Sequence, residues 1–280
     1  MKLSKSLPLI ALCAVAYAPT AASAAPTIKS YFEFKQPKMI TIPGDLSLDS
    51  GGASAPVSNV SSTYTLGFEG ISQYDGASFG RNFIPPDTMG AVGRTQYFET
   101  SNGAYAVFDK YTGQRLSLVS DVAFWAAAGQ TGANGDSRVM YNAAAGRWIA
   151  ISFGASTADI QIAISDTDNA LGSWQSTKFT GFAGGVADYP TLALDNNAVY
   201  IGTNNFTSSF QGTTLNVIPL NSLFGNGAPS VTGMKQFSTA FPGTFEDRGF
   251  ALQGVNSTSG GTTGKVLAAS LFNYDSLGFT

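Results

Sequence analysis

The feature that most constrains this chain is a unit of about fifty residues that repeats along it. PPDTMGAVG, NGDSRVMYN, VADYPTLALD and FEDRGFALQGV each put an aspartate just before a short apolar segment. The four acids are Asp87, Asp136, Asp188 and Asp247, separated by 49, 52 and 59 residues. The residues after each acid are also alike. Asp136 leads into RVMYN, a turn AAAG and RWIAISFG. Asp188 leads into TLALD, a turn NN and AVYIGTNNF. Asp247 is followed by FALQGVN, a Gly/Ser/Thr loop at 257–264 and KVLAASLFN. Asp87 is followed by GAVG, TQYFETSN and AYAVFDK, which ends in an Asp-Lys-Tyr-Thr-Gly turn.

Further strands fit the second unit (ADIQIAIS, SWQSTKFT) and the third (TTLNVIPL, MKQFST). In DIQIAIS the alternation puts Ile160, Ile162 and Ile164 on one face, the period of a strand. A period near fifty with about four strands per unit predicts an all-β fold, a β-propeller of four-stranded antiparallel blades. A sandwich with regular hairpins is the competing architecture, but it does not repeat a fifty-residue unit with an acid at a fixed place. About four blades fit between residues 63 and 280, the last without its outer strands, so the expectation is that the propeller is partial.

Residues 1–24 read as an export signal. Lys2 and Lys5 precede a mostly apolar stretch, and Ala22-Ser23-Ala24 supplies a small-residue cleavage site. The stretch is short and interrupted by Pro8 and Pro19, so it suits a signal and no membrane span is expected after cleavage. Cys13, the single cysteine, lies in this signal, and the chain contains no histidine. Ser-His-Asp and Cys-His catalysis and Cys/His zinc sites are therefore excluded.

Without Lys2 and Lys5, 13 basic side chains remain against 18 acidic, a balance that offers nucleic acid no basic footprint. Export to the periplasm, the exterior or the cell surface of a bacterium is the expected location. Residues 25–62, broken by Pro26, Pro37, Pro43 and Pro56 and ending in DSGGASAPVSNVSS, have the composition of a flexible lead-in.

FEGIS, PPDTMGAVG, YFETSNGAYAVFDKYTGQRL, GDSRVMYNAAAGRWIAISF and ADYPTLALDNNAVYIGTNNF together resemble a group of exported, propeller-like bacterial proteins. Members of that group often end in a cell-surface sorting signal of the PEP-CTERM type, which this sequence does not show. The likeness covers residues 66–206 best. It implies secretion and propeller architecture and carries no reaction.

The repeated acids are the candidate site. Asp87, Asp136, Asp188 and Asp247 either cap turns at the strand entries, accepting backbone N–H groups, or converge at one mouth of a central channel. Converged, they would form an oxygen-rich ring suited to Ca²⁺. The leading functional expectation is a secreted or cell-surface binding module whose partner is a glycan or a surface protein. The alternative is a glycoside hydrolase, with Asp87 as base, Asp188 as modulator and Glu246 as acid; it requires two carboxyl groups facing one cleft at roughly 5 to 10 Å.

Sialidase chemistry fits poorly. SDTDNALGSW (165–174) has the wrong spacing for an Asp box, and no Arg-Ile-Pro is present. Gly90 and Gly93 form no phosphate loop and suit close strand packing. Trp125, Trp148 and Trp174 are expected in the core rather than on a sugar, and VAFWAAAG (122–129) as a short helix or strap. The segments 204–212 and 257–264 read as long polar loops, where ligand contacts concentrate.

Overall fold

Strands that are apolar on both faces must be covered on both, and that requirement organises the molecule. The structure, a computed structural model, describes residues 66–238, 250–257 and 264–269. All belong to Ser61–Thr280, the second of two compact units in the chain. The signal, the lead-in, Glu246 and Asp247 lie outside the described residues, as does most of the 257–264 loop.

The described chain is mostly β, in four antiparallel sheets that succeed one another in sequence. After a short helix α1 (Gln73–Ser78), sheet 1 contains β1 (Met89–Val92), β2 (Gln96–Ser101), β3 (Ala104–Asp109) and β4 (Arg115–Ser120). Helix α2 (Asp121–Ala127) leads to sheet 2, made of β5 (Arg138–Asn142), β6 (Arg147–Phe153), β7 (Asp159–Ser165) and β8 (Trp174–Thr180). Sheet 3 contains β9 (Val186–Asp188), β10 (Ala193–Leu194), β11 (Ala198–Phe206), β12 (Phe210–Pro219) and, after helix α3 (Leu220–Phe224), β13 (Lys235–Phe237). Sheet 4 is a pair, β14 (Phe250–Gly254) and β15 (Val266–Ala269). Each sheet is open.

The first strand of sheet 3 comes in two pieces, and the sequence explains the break. β9 pairs with the far end of β11 (Asp188 opposite Asn204), and β10 pairs with its near end (Ala193 opposite Tyr200). Between them stand Tyr189, at φ 49°, and Pro190, which has no N–H to give a ladder.

Sheet 2 shows how the core is built. Ile149, Ile151 and Phe153 of β6 and Ile160, Ile162 and Ile164 of β7 point one way, into a cluster with Leu192, Leu194, Val199, Ile201 and Ile218 of sheet 3. The intervening Trp148, Ala150 and Ala163 point the other way, into a cluster with Phe98, Tyr105 and Val107 of sheet 1 and Trp125 of α2. Large residues face sheet 3, and a Trp-and-Ala face meets the aromatics of sheet 1, so the two sides interdigitate differently. Burial of each isoleucine is worth about 1.5–3 kcal/mol. A smaller cluster of Ala193, Tyr200, Leu215 and Leu252 joins sheets 3 and 4.

The tryptophans expected in the core are there. Trp125 and Trp148 are fully buried. Their indole N–H groups donate to Tyr105 Oη (3.0 Å) and Asp168 O (2.8 Å) respectively. Trp174 is half-buried, edge-on to Phe98 and Phe124. The strap at 122–129 is indeed mostly helix, with Ser120 as its N-cap. The segment 204–212, by contrast, is a tight hairpin: β11 runs to Phe206 and β12 begins at Phe210. Phe206, Phe210 and Phe250 pack there ring to ring, which gives its apolar residues a use that a polar loop lacks.

Gly93 lies against Trp148 where sheets 1 and 2 meet. A Cβ at this position would stand 2.4 Å from Trp148 Cζ2, inside the indole. Replacing Trp148 by Ala empties the same joint from the other side. Urea unfolding of Trp148→Ala is expected to show a loss of about 3–5 kcal/mol; a loss below about 1 kcal/mol would mean that the joint does not support the core.

Candidate functional site

The site forms where the first strands of the sheets enter. Asp87 and Asp136 both adopt left-handed backbone, φ 44° and 53°, a conformation that Asp tolerates better than most residues. The left-handed residues in the third and fourth sheets are Tyr189 and Ala251, at φ 49° and 55°. The backbone therefore repeats more faithfully than the acids: the third equivalent falls one residue after Asp188, and the fourth falls four after Asp247.

At each junction a side chain of the preceding sheet takes the N–H of the left-handed residue. Asn102 Oδ1, in the β2–β3 turn, accepts from Asp136 N at 2.7 Å. Asp136 Oδ2 accepts from Tyr189 N at 3.3 Å. Asn204 Oδ1, in β11, accepts from Ala251 N at 2.8 Å. Asn102 also donates through Nδ2 to Asp87 Oδ2 at 2.8 Å and to Pro85 O at 3.1 Å. Gly135 makes this possible, since at φ 96° a Cβ would meet Asn102 Oδ1 at 2.8 Å. Asp136 thus joins one sheet to the next, while the Asp87 and Asp188 side chains find their partners within their own units, in Asn102 and in the Tyr189 N–H.

Asp87, Asp136 and Asp188 come close enough to feel one another. Burial pushes the Asp136 carboxyl up to about 6; the negative charge of Asp87, a hydrogen bond shared with Asp87 and the charge of Asp188 add to the rise. Asp188 is also raised, by burial and then by Asp87, against a hydrogen bond from Tyr189 N–H. Two carboxylates this close cannot both ionise cheaply, and Asp136 therefore holds its proton more tightly than a free aspartate does. Among the described residues no three acidic, His or Cys side chains are disposed to hold a metal ion, and Asp247, the fourth member of the expected ring, lies outside them.

Beside the acids a cavity of about 200 Å³ is lined from all four sheets. Met89 and Gly90 come from β1, Arg138 and Met140 from β5, Tyr189 and Leu192 from the break between β9 and β10, and Gln253 from β14. Arg138 stacks on Tyr189, its guanidinium carbon 4.6 Å from the ring centre. Neither Arg138 nor Asn102 stands out in the sequence as a site residue; the only sign of either is its place beside a repeated Asp or in a Ser-Asn-Gly turn.

A larger cavity, about 510 Å³, opens between β3, β4, α2 and the loop before β8, with walls that include Phe98, Tyr105, Phe124, Leu171 and Trp174. Its aromatic polar groups are satisfied internally: Tyr105 accepts from Trp125 and Trp174 donates to Ala170 O. No carboxylate, amine or guanidinium lines it.

No protein-family model, curated protein or solved structure matches this chain. No helix among the described residues is long and apolar enough to cross a membrane.

The raised acid has a definite signature. The folded state binds the Asp136 proton more tightly than the unfolded chain, so this contribution to stability is full below about pH 4. It is lost as pH rises through about 6. Asp136→Asn keeps the acceptor for Tyr189 N–H, tolerates the left-handed backbone and removes the charge. Relative to wild type, the variant is expected to gain about 1 kcal/mol between pH 4 and 7, allowing for solvent screening of a partly exposed group. Thermal melts across that range check it; a difference independent of pH would sink the account.

Proposed function

We propose that this chain is an exported, propeller-type binding module that takes a small ligand on the axis where the first strands meet. One observation carries the reading: a single cavity is lined by the opening strands of all four sheets. Sheets stacked face to face, with their first strands side by side, are the arrangement of propeller blades, and blades place their inner strands along a shared channel. The repeat of about fifty residues and the signal-like residues 1–24 support the same reading, including its location outside the cytoplasm. A glycan or a segment of a surface protein is the class of partner such a module takes.

The hydrolase alternative has one observation in its favour, the strongly raised carboxyl of Asp136. Its partner by hydrogen bond, however, is Asp87, and a hydrogen-bonded pair is much closer than the roughly 5 to 10 Å that glycoside hydrolysis asks of its two carboxyls. Binding without turnover is the better-supported use of the site. Calcium enters only as an occupant of the acid cluster, and a melting temperature unmoved by Ca²⁺ or chelator would remove it without touching the cavity.

Met89 and Met140 line the cavity, and Met234 lies apart from it, packed against the core between sheets 2 and 3. Protein carrying ¹³C-methyl methionine, mixed with short oligosaccharides, is expected to show shifts at Met89 and Met140 and none at Met234. Shifts confined to other signals would move the binding site off the axis. Release of reducing ends that disappears in Asp87→Asn would replace the binding module by an enzyme.

A further inference from the structure

Arg138 is the residue in the cavity that its own protein leaves unanswered. It opens β5 and is only 7 % exposed. A guanidinium so buried is ordinarily paired with a carboxylate, because desolvating the charge alone is costly. Among the described residues Arg138 forms no ion pair. The neighbouring acids are engaged elsewhere: Asp136 with Asp87 and Tyr189 N–H, and Asp188 with the same N–H. Among the described residues the hydrogen bond of Arg138 is a long 3.4 Å contact from Nη1 to Ser137 O.

The surroundings of the guanidinium are shaped for something else. The Tyr189 ring covers it at 4.6 Å and fixes its plane. Met89, Val139, Met140 and Leu192 supply apolar walls beside it. Asp87, Asp136 and Asp188 are not part of that lining, so Arg138 is the charged group that meets whatever enters. Thr191, Gln253 and Asn256 add polar walls, and a planar fork of N–H donors stacked on an aromatic ring in such a mixed cavity suits a carboxylate, which it holds through two parallel hydrogen bonds. We propose that the axial cavity takes a small carboxylate-bearing ligand, of the size of one acidic sugar or aromatic acid, with its carboxylate on Arg138. This rests on the reading of the cavity as the ligand site.

The test uses the full chain with ¹³C-methyl methionine and three probes at constant ionic strength: glucuronate, its neutral counterpart glucose, and benzoate. Glucuronate or benzoate, or both, are expected to shift Met89 and Met140 saturably, with glucose at least about tenfold weaker. Which acid binds distinguishes a sugar acid from an aromatic one. Arg138→Met, which matches the apolar walls, is expected to weaken acid binding at least about tenfold and yet melt no lower than wild type, since it removes an unpaired buried charge. Arg138→Lys keeps the charge without the fork and is expected to fall between.

Equal binding of glucose and glucuronate, or unchanged glucuronate binding by Arg138→Met, would overturn the carboxylate inference and leave the axial site standing. Silence of both methyls toward every probe would remove the axial site as well. A marked fall in melting temperature for Arg138→Met would reassign Arg138 to bracing Tyr189, and would overturn the inference too.

Discussion

Everything in this fold depends on sheet 2 having two apolar faces of different shape. Ile149, Ile151, Ile160, Ile162 and Ile164 cannot be left in water, and neither can Trp148 with Ala150 and Ala163 behind it. A sheet of that kind is stable only between two others. Sheet 3 answers the isoleucines with Val199, Ile201 and Ile218, and sheet 1 answers the indole with Phe98, Tyr105 and a glycine at 93. The stacking order is thus written into alternate residues of two central strands. The loop before β8 reinforces it, since Gln96 of sheet 1 donates to Asn169 Oδ1 at 2.8 Å and accepts from Ala170 N at 2.7 Å.

Face-to-face stacking leaves a polar problem at the inner edge. Where the chain turns into each new sheet, a left-handed residue has an N–H that its own sheet does not satisfy. The molecule solves this by reaching forward, with Asn102, then Asp136, then Asn204 accepting that N–H from the sheet before. Two of these acceptors are amides and carry no electrostatic cost. The middle one is a carboxylate beside two others, and burial first and repulsion second raise its proton affinity, costs that an Asn there would avoid. Natural sequences do not usually retain such a cost where packing alone is at stake, and perturbed carboxyls gather at functional sites.

Much of the fold was legible in the residues. The period of about fifty found the sheets, and RWIAISF, DIQIAIS and AVYIGTNNF fall in β6, β7 and β11 because alternation and strand geometry share a period of two. The site was legible only in part. Aligning the aspartates picked out Asp87, Asp136 and Asp188, whose charges act on one another, while Asp247 lies outside the described residues. The constant is a left-handed backbone, which Asp supplies twice and Tyr189 and Ala251 supply without any side chain in common. Asn102 and Asn204 were invisible because each acts across a sheet boundary, 34 and 47 residues from its partner. The hairpin at 204–212 was hidden for another reason: its Ser and Thr suggest a loop, while the rings of Phe206 and Phe210 close it only once Phe250 arrives from sheet 4.

Arg138 escaped notice because a lone arginine at a strand start is ordinary until its surroundings are known. Only the assembled sheets show that its neighbours Asp136 and Asp188 direct their charges at each other, at Asp87 and at a backbone N–H. The edge of the stack therefore separates charge into two compartments. Acidic groups gather at the junctions, and the charged residue that lines the cavity is Arg138. On the reading proposed above, a ligand carrying a carboxylate supplies the counter-charge that Arg138 does not find among the described residues. The proposal thus asks the cavity to gain stability when occupied, where a structural brace would stabilise the empty fold.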